Sequence, residues 1–175
     1  MTNEQKALVA KKRLRRLNKI QLAYIAGFLD GDGCIMLQLI RRHDYVLGYQ
    51  IRASIVFYQK DTKEKFLVWL KTKLKYGYLR KRKDGVCEYT IVGLNPVRET
   101  LKLLFPYFIL KKKQARIAIN VINQAPEGGR SYTPKQLLTL AKQVDKCAHF
   151  NYSKKRKHTS KEVEEYLKSK DLLSP

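Results

Sequence analysis

Carboxylates are scarce in this chain. Across 175 residues, 15 Asp and Glu face 37 Lys and Arg, a formal net charge of +22 and a pI near 10.0. Such a balance selects for a polyanionic partner, with nucleic acid first and an anionic membrane surface as its rival. Cysteine is scarce too. Cys34, Cys87 and Cys147 are scattered and odd in number, which argues against a secreted disulfide framework. Cys147-Ala-His149 lacks a second ligand pair and reads as structural, not as zinc. Long apolar runs are missing: nothing approaches the roughly 20 residues that span a bilayer. The opening "MTNEQKALVAKKRLRRLNK" has no apolar signal core. It reads as a solvated basic arm, or a helix near the nucleic acid. Internal repeats and Gly/Ser linkers are also lacking. The 44% apolar content is what remains, enough for one domain with a real core.

Periodicity places the elements. "QLAYIAGFLDG" carries Leu22, Ile25, Ala26 and Leu29 at helical spacing, and its glycines are expected to stop the helix. "CIMLQLIRR" and "YQIRASIVFYQ" alternate as strands. Ile35, Leu37 and Leu39 share one face, as do Ile51, Ala53, Ile55 and Phe57. "DTKEKFLVWLKTKLK" suits a helix capped by Asp61 or Thr62, with Phe66, Trp69, Leu70 and Leu74 as its apolar stripe. "YGYLRKR" and "CEYTIVG" form a second hairpin through the Asp84-Gly85 turn signal. Helices follow at 95–104, 111–124, 135–150 and 161–170. The order is α-β-β-α-β-β-α with helical additions, an α+β class. Two hairpins can build one mixed sheet with helices on one face and a polar, basic face opposite. A twisted β-ribbon of that kind fits the major groove of B-DNA.

"YIAGFLDGDGCI", residues 24–35, is the odd stretch: two of the few carboxylates sit between glycines at the end of an apolar segment. Turn punctuation is the plain reading. A calcium loop fails, because the later ligands and the twelfth-position glutamate are absent. A dinucleotide cradle fails, because these glycines follow a helix and not a strand. A fourth reading uses the helix itself. Ala23, Gly27 and Gly31 recur every four residues, so they line one face and allow two helix backbones to approach. A second copy about a two-fold axis can supply the other helix. Each helix then delivers a carboxylate close to the axis. A divalent metal there activates water and stabilises a leaving oxygen in phosphodiester hydrolysis.

"YIAGFLDGDG" resembles the signature of the LAGLIDADG homing endonucleases. "FYQKDTKEKFL", "YGYLRKR", "PYFILKKKQARIAINVI" and "FNYSKKRKHTSKEV" follow in the order of its single-motif, homodimeric branch, met in algal chloroplast ribosomal-RNA-gene introns. The resemblance covers about residues 20–170. It implies a basic extension at 1–19, then one domain at 20–175 whose saddle-shaped sheet lies on DNA. It also implies that Asp32 binds Mg2+, with Mn2+ as a substitute, helped by the Gly31 carbonyl. Asp30 is left to helix-end structure. Gln59 orders water, Lys111 sits near the scissile phosphate, and Lys63 holds a peripheral place where a well-known member of the family carries arginine. Lysine there lacks the bidentate fork. Cys34 replaces a small hydroxyl residue and is given no catalytic part.

For base contacts, alternation and resemblance agree on Gln38, Gln50, Arg52, Ser54, Arg80, Arg82, Glu88 and Thr90, with Arg42 and Tyr45 at the ribbon tip. Ser153, Lys154, Lys157 and His158 match a loop that grips backbone phosphate. The expected function is a site-specific homing endonuclease, a homodimer on double-stranded DNA, with a ribosomal-RNA-gene target, no membrane and a chloroplast setting. The alternatives are an intron-RNA-binding maturase and a catalytically silent DNA-binding protein. Cleavage in magnesium separates them, since all three bind through the same basic face.

Overall fold

The computed structural model describes residues 17–126, 131–151 and 156–173. Most of the basic extension, and Ser153 and Lys154, lie outside the described residues. Asn18 opens helix α1 (Lys19–Asp32) with a capping box. Its Oδ1 accepts the Gln21 N–H at 2.8 Å, and Gln21 Oε1 accepts the Asn18 N–H at 3.3 Å. Leu22, Ile25, Ala26 and Leu29 are buried as their spacing requires. This helix is stopped by glycine, at Gly33 and not at Gly27 or Gly31. It runs through Gly27 and Gly31 to Asp32, and turns at Gly33 straight into strand β1 (Gly33–Arg41). A Cβ on Gly33 would meet Leu29 Cδ1 at 2.3 Å and the Leu29 carbonyl oxygen at 2.9 Å. The abrupt helix-to-strand turn therefore needs glycine at 33, and it leaves Asp32 exposed at the corner.

Strand β1 pairs with β2 (Tyr49–Lys60), which pairs with β4 (Val86–Val92), which pairs with the short edge strand β3 (Tyr78–Lys81). Every pairing is antiparallel, which corrects the expected mixed sheet. A mixed sheet would set β3 beside β2. Instead β4, with Cys87, Tyr89 and Ile91 fully buried, takes the central place, and the exposed β3 is left at the edge. Between the hairpins, a 3-10 turn (Asp61–Lys63) leads into α2 (Glu64–Leu74) without a side-chain cap from Asp61 or Thr62. The core takes Leu67, Leu70 and Leu74 from α2; Phe66 and Trp69 flank that stripe.

Helices α3 (Leu94–Leu104), α4 (Lys112–Gln124), α5 (Pro134–Ala148) and α6 (Ser160–Ser169) complete six α-helices among the described residues. Aromatic rings tie the layers together. Phe28 stacks on Phe57 at 6.0 Å, Phe57 on Tyr89 at 5.7 Å, and Phe28 meets Phe66 edge-on at 4.7 Å. The buried Tyr89 hydroxyl donates to the Tyr76 carbonyl at 2.7 Å. Gly77 lies beside this contact with φ of 75°, and a Cβ there would sit 2.0 Å from the Thr90 carbonyl oxygen. Gly77→Ala is therefore expected to lose about 3 kcal/mol of stability, from left-handed backbone strain and a clash with backbone. Urea unfolding measures it; a loss below about 1 kcal/mol would contradict this geometry.

Candidate nucleic-acid interface and active site

The helix-covered face of the sheet is apolar, and the opposite face carries the polar residues. Gln38 on β1 is paired with Arg52 on β2, and both are exposed. Gln50 is half-buried opposite Ile40. Arg80 on β3 pairs with Glu88 on β4. Ser54 and Thr90 lie on the same open face but are buried, at 3% and 8% exposure, which corrects their expected outward availability. Their cross-strand partners are bulky: Met36 and Val92 flank Ser54, while Val56 and Tyr78 flank Thr90. At the hairpin tips the guanidinium groups are already engaged. Arg42 makes two bonds to Asp44, at 2.9 and 2.6 Å, and lies 4.8 Å from the Tyr45 ring. The Arg42 hydrogen bond, and then Asp44's own backbone N–H, hold the Asp44 carboxyl down at about 2. Arg82 bridges Asp84 at 2.5 Å and Glu88 at 3.1 Å. Exposed pairs of this kind add little to stability, because water screens them.

At the α1 end of this face lies an open cavity of about 1010 Å³. Gly31, Asp32, Gln59 and Lys111 line it together with Gln38, Lys157 and His158. The register explains how Gln59 arrives. It lies near the end of β2, not in a helix, and two residues beyond Phe57, the partner of Gly33, so it draws level with the last turn of α1. Its Oε1 accepts the Lys60 N–H at 3.0 Å. Lys63 is exposed at the α2 N-terminus and does not line the cavity. Cys34 does line it, and its thiol donates to Asn151 Oδ1 at 3.2 Å. Burial pushes that thiol up, with nearby Lys111 opposing in smaller part.

Asp32 is placed where a cation is favoured. It sits at the C-terminal, negative end of the α1 dipole; the last turn carries no basic residue of its own, and the Lys111 ammonium bonds the Asp30 carbonyl there. The last carbonyls of a helix, Gly31's among them, lack intrahelical donors. No group of three or more His, Cys, Asp or Glu side chains gathers among the described residues. The donor set is one carboxylate plus one carbonyl, all oxygen. That fits magnesium, which keeps several waters and binds through one or two carboxylates plus substrate phosphates. It does not fit zinc or another thiophilic metal.

Several contributors were not legible as site residues. Gln114, only 2% exposed, donates from Nε2 to the Ile35 carbonyl and to Asn151 Oδ1, both at 2.7 Å. It thus joins β1, α4 and the start of the loop that carries Lys157 and His158. Its phase was the available signal, since it falls on the buried face with Ala118, Val121 and Ile122. Asp145 on α5 accepts the Ser160 N–H at 3.1 Å and bonds Arg156, closing the far side of that loop. The base of the loop is packed as well. The His158 ring meets Tyr49 at 5.5 Å, and Arg41 lies between Tyr49 and Tyr166, at 4.8 and 3.8 Å. Asp145→Ala is expected to weaken DNA binding about fivefold, since a lost cap and ion pair are worth about 1 kcal/mol. Titration of labelled duplex at fixed salt checks it; unchanged affinity would detach Asp145 from DNA binding.

An exposed carboxylate at the end of α1 lies beside the polar face of an antiparallel sheet, and residues 25–124 match the LAGLIDADG endonuclease family. The chain belongs to that family. DNA endonuclease I-CvuI of Chlorella vulgaris is 36% identical over 151 residues, covering 86% of this chain and 92% of the relative. DNA endonuclease I-CreI of Chlamydomonas reinhardtii is 35% identical over 154 residues, covering 88% and 93%. The crystal structure of I-CvuI in complex with its target, in the presence of calcium, matches with a TM-score of 0.83. That match covers 89% of this chain and 97% of I-CvuI. The archaeal intron-encoded I-Vdi141I, complexed with DNA, shares the fold at 19% identity and a TM-score of 0.76. Among the described residues no helix is long and apolar enough to cross a membrane.

Proposed function

We propose that the protein is a site-specific homing endonuclease that binds a long pseudo-palindromic DNA site as a homodimer and hydrolyses one phosphodiester on each strand with magnesium. One observation carries the reading: Asp32, Gln59 and Lys111 converge on the cavity that also holds Gln38, Lys157 and His158. A reacting phosphate and the DNA backbone grip therefore share one surface. Asp32 and the Gly31 carbonyl would hold the divalent ion, which when bound would supply a Lewis acid and lower the pKa of water. Gln59 orients the attacking water through its amide. Lys111 offers positive charge to the phosphate oxygens as they gain charge. Lys63 acts from outside the cavity, as a phosphate contact. The exposed arginines and glutamines of the sheet read base edges, while Lys157 and His158 position the backbone.

The dimer is supported by the outer face of α1. Ala23, Gly27 and Gly31 are exposed there, and Ile20 and Tyr24 expose 81% and 56% of their surfaces beside them. One chain brings one such carboxylate corner, and two strands need two. An algal-type organelle genome, and the chloroplast within that class, is the setting favoured by the relatives, with a ribosomal-RNA gene as target. Incubating the protein and magnesium with a plasmid library of intron-insertion sites tests the function. Discrete double-strand breaks at one site are expected. Binding with no cleavage of any site would return the chain to a DNA-binding or RNA-binding role.

A further inference from the structure

The two aspartates of α1 are not equivalent, and the buried one reaches across the fold. Asp30 is 7% exposed. Its Oδ2 accepts the backbone N–H groups of Ile109 at 2.7 Å and Leu110 at 3.1 Å, and its Oδ1 accepts that of Lys111 at 2.9 Å. The Lys111 ammonium turns back and donates to the Asp30 carbonyl oxygen. Four bonds thus join one residue of α1 to a segment about 80 positions away in sequence. The Ile109 and Leu110 side chains add little to this, being 85% and 73% exposed, between the buried Phe108 and the Lys111 carbonyl that accepts the Ala115 N–H at 2.8 Å. The body of α4 has its own anchors in Ala115, Ala118, Val121 and Ile122. Lys111, at the N-cap of α4, makes no side-chain cap bond of its own, so Asp30 supplies the negative charge at that helix start.

We propose that Asp30 is a positioning residue: by holding 109–111 it fixes the Lys111 ammonium at the α1 corner beside Asp32. This rests on the reading of Asp32 and Lys111 as the groups that face the scissile phosphate. A misplacement of about 1 Å in such a group costs on the order of a hundredfold in rate. A plain helix cap would predict lost stability and nothing particular to Lys111.

The test uses the full chain and Asp30→Asn, which keeps one acceptor oxygen and turns an amide N–H group toward backbone donors. Lys111 is labelled with an amine-reactive acetylating reagent, and its modification is compared by mass spectrometry with that of Lys112 and Lys113 in the same molecule. Loss of the tether is expected to raise Lys111 labelling about tenfold while the neighbours change little. The second arm is a double-mutant cycle in single-turnover cleavage. Asp30→Asn is expected to cost about 10- to 100-fold, yet Asp30→Asn with Lys111→Met should be no slower than Lys111→Met alone. Unchanged Lys111 labelling, or losses that simply multiply, would overturn the proposal. If Asp30→Asn does not fold, Asp30→Glu carries both arms, with a smaller shift of the same sign expected. Labelling needs no cleavage, so a wild-type protein that fails to cut DNA would sink the nuclease reading and leave the tether to be judged by the labelling arm.

Discussion

Asp32→Asn is expected to abolish cleavage, by about a thousandfold or more, while leaving the fold and DNA binding in place. The substitution is isosteric and removes only the charge. Asp32 is exposed at the corner between α1 and β1, and the core residues Leu29 and Ile35 on either side of it are fully buried without its help. The folded state therefore has little to lose. It has something to gain, since a carboxylate at the negative end of a helix costs about 0.3–1 kcal/mol. DNA affinity should hold or rise slightly in metal-free buffer, because a negative charge facing phosphate has gone. Metal-dependent binding should weaken in parallel with the rate. Single-turnover cleavage, duplex titration and thermal unfolding read the three quantities separately. Retained cleavage would remove Asp32 from the metal site. Lost cleavage together with a collapsed unfolding transition would mean that the corner carboxylate is structural, which its exposure argues against. The contrast with Asp30 sharpens the result, since that aspartate is buried under three backbone donors and should cost stability as well as rate.

Local pattern made much of this fold legible, and non-local contact decided what it hid. Helix α1 could be read from Leu22, Ile25, Ala26 and Leu29, because burial follows a period that three turns express. Its end could be read to within a residue or two from the glycines: Gly31 is still helical, and Gly33 makes the stop because only glycine fits against Leu29 there. The ribbon faces could be read from alternation. The burial of Ser54 and Thr90 could not, since it depends on Met36, Val56, Tyr78 and Val92 on neighbouring strands. Strand order was hidden for the same reason. In α2 the expected Leu70 and Leu74 enter the core, while the expected Phe66 and Trp69 only flank it. Their rings pack on Tyr24 and Phe28 at the flank, while Leu67 enters the core. Asp32, Gln59 and Lys111 are legible as candidates only through the ordered motifs, and the fold brings all three to one cavity. What joins them, Asp30 to 109–111 and Gln114 to Asn151, spans tens of residues and leaves no local trace.

Gly27→Leu is expected to convert the protein to a monomer without unfolding it, and to cost double-strand cleavage about a hundredfold or more. Within one protomer, a Cβ on Gly27 would meet nothing within 4 Å, and the same is true of Gly31. Neither glycine is required by its own chain. Each nevertheless costs the helix about 1 kcal/mol relative to alanine. Two such costs on one exposed helix face call for an offset outside the protomer, and a second α1 packed backbone to backbone supplies it. Leucine in place of Gly27 removes the glycine penalty, so the isolated monomer should unfold at the same temperature or higher. The same side chain holds two helices apart and forfeits close packing worth about 4 kcal/mol, which raises the dissociation constant roughly a thousandfold. At micromolar protein, sedimentation should then report a monomer on and off DNA. A Gly27→Leu chain that sediments as a dimer and cuts both strands would place the two-fold contact somewhere other than α1. Gly27→Ala grades the effect, since a methyl group is the smallest wedge, and it should weaken association by about tenfold or less.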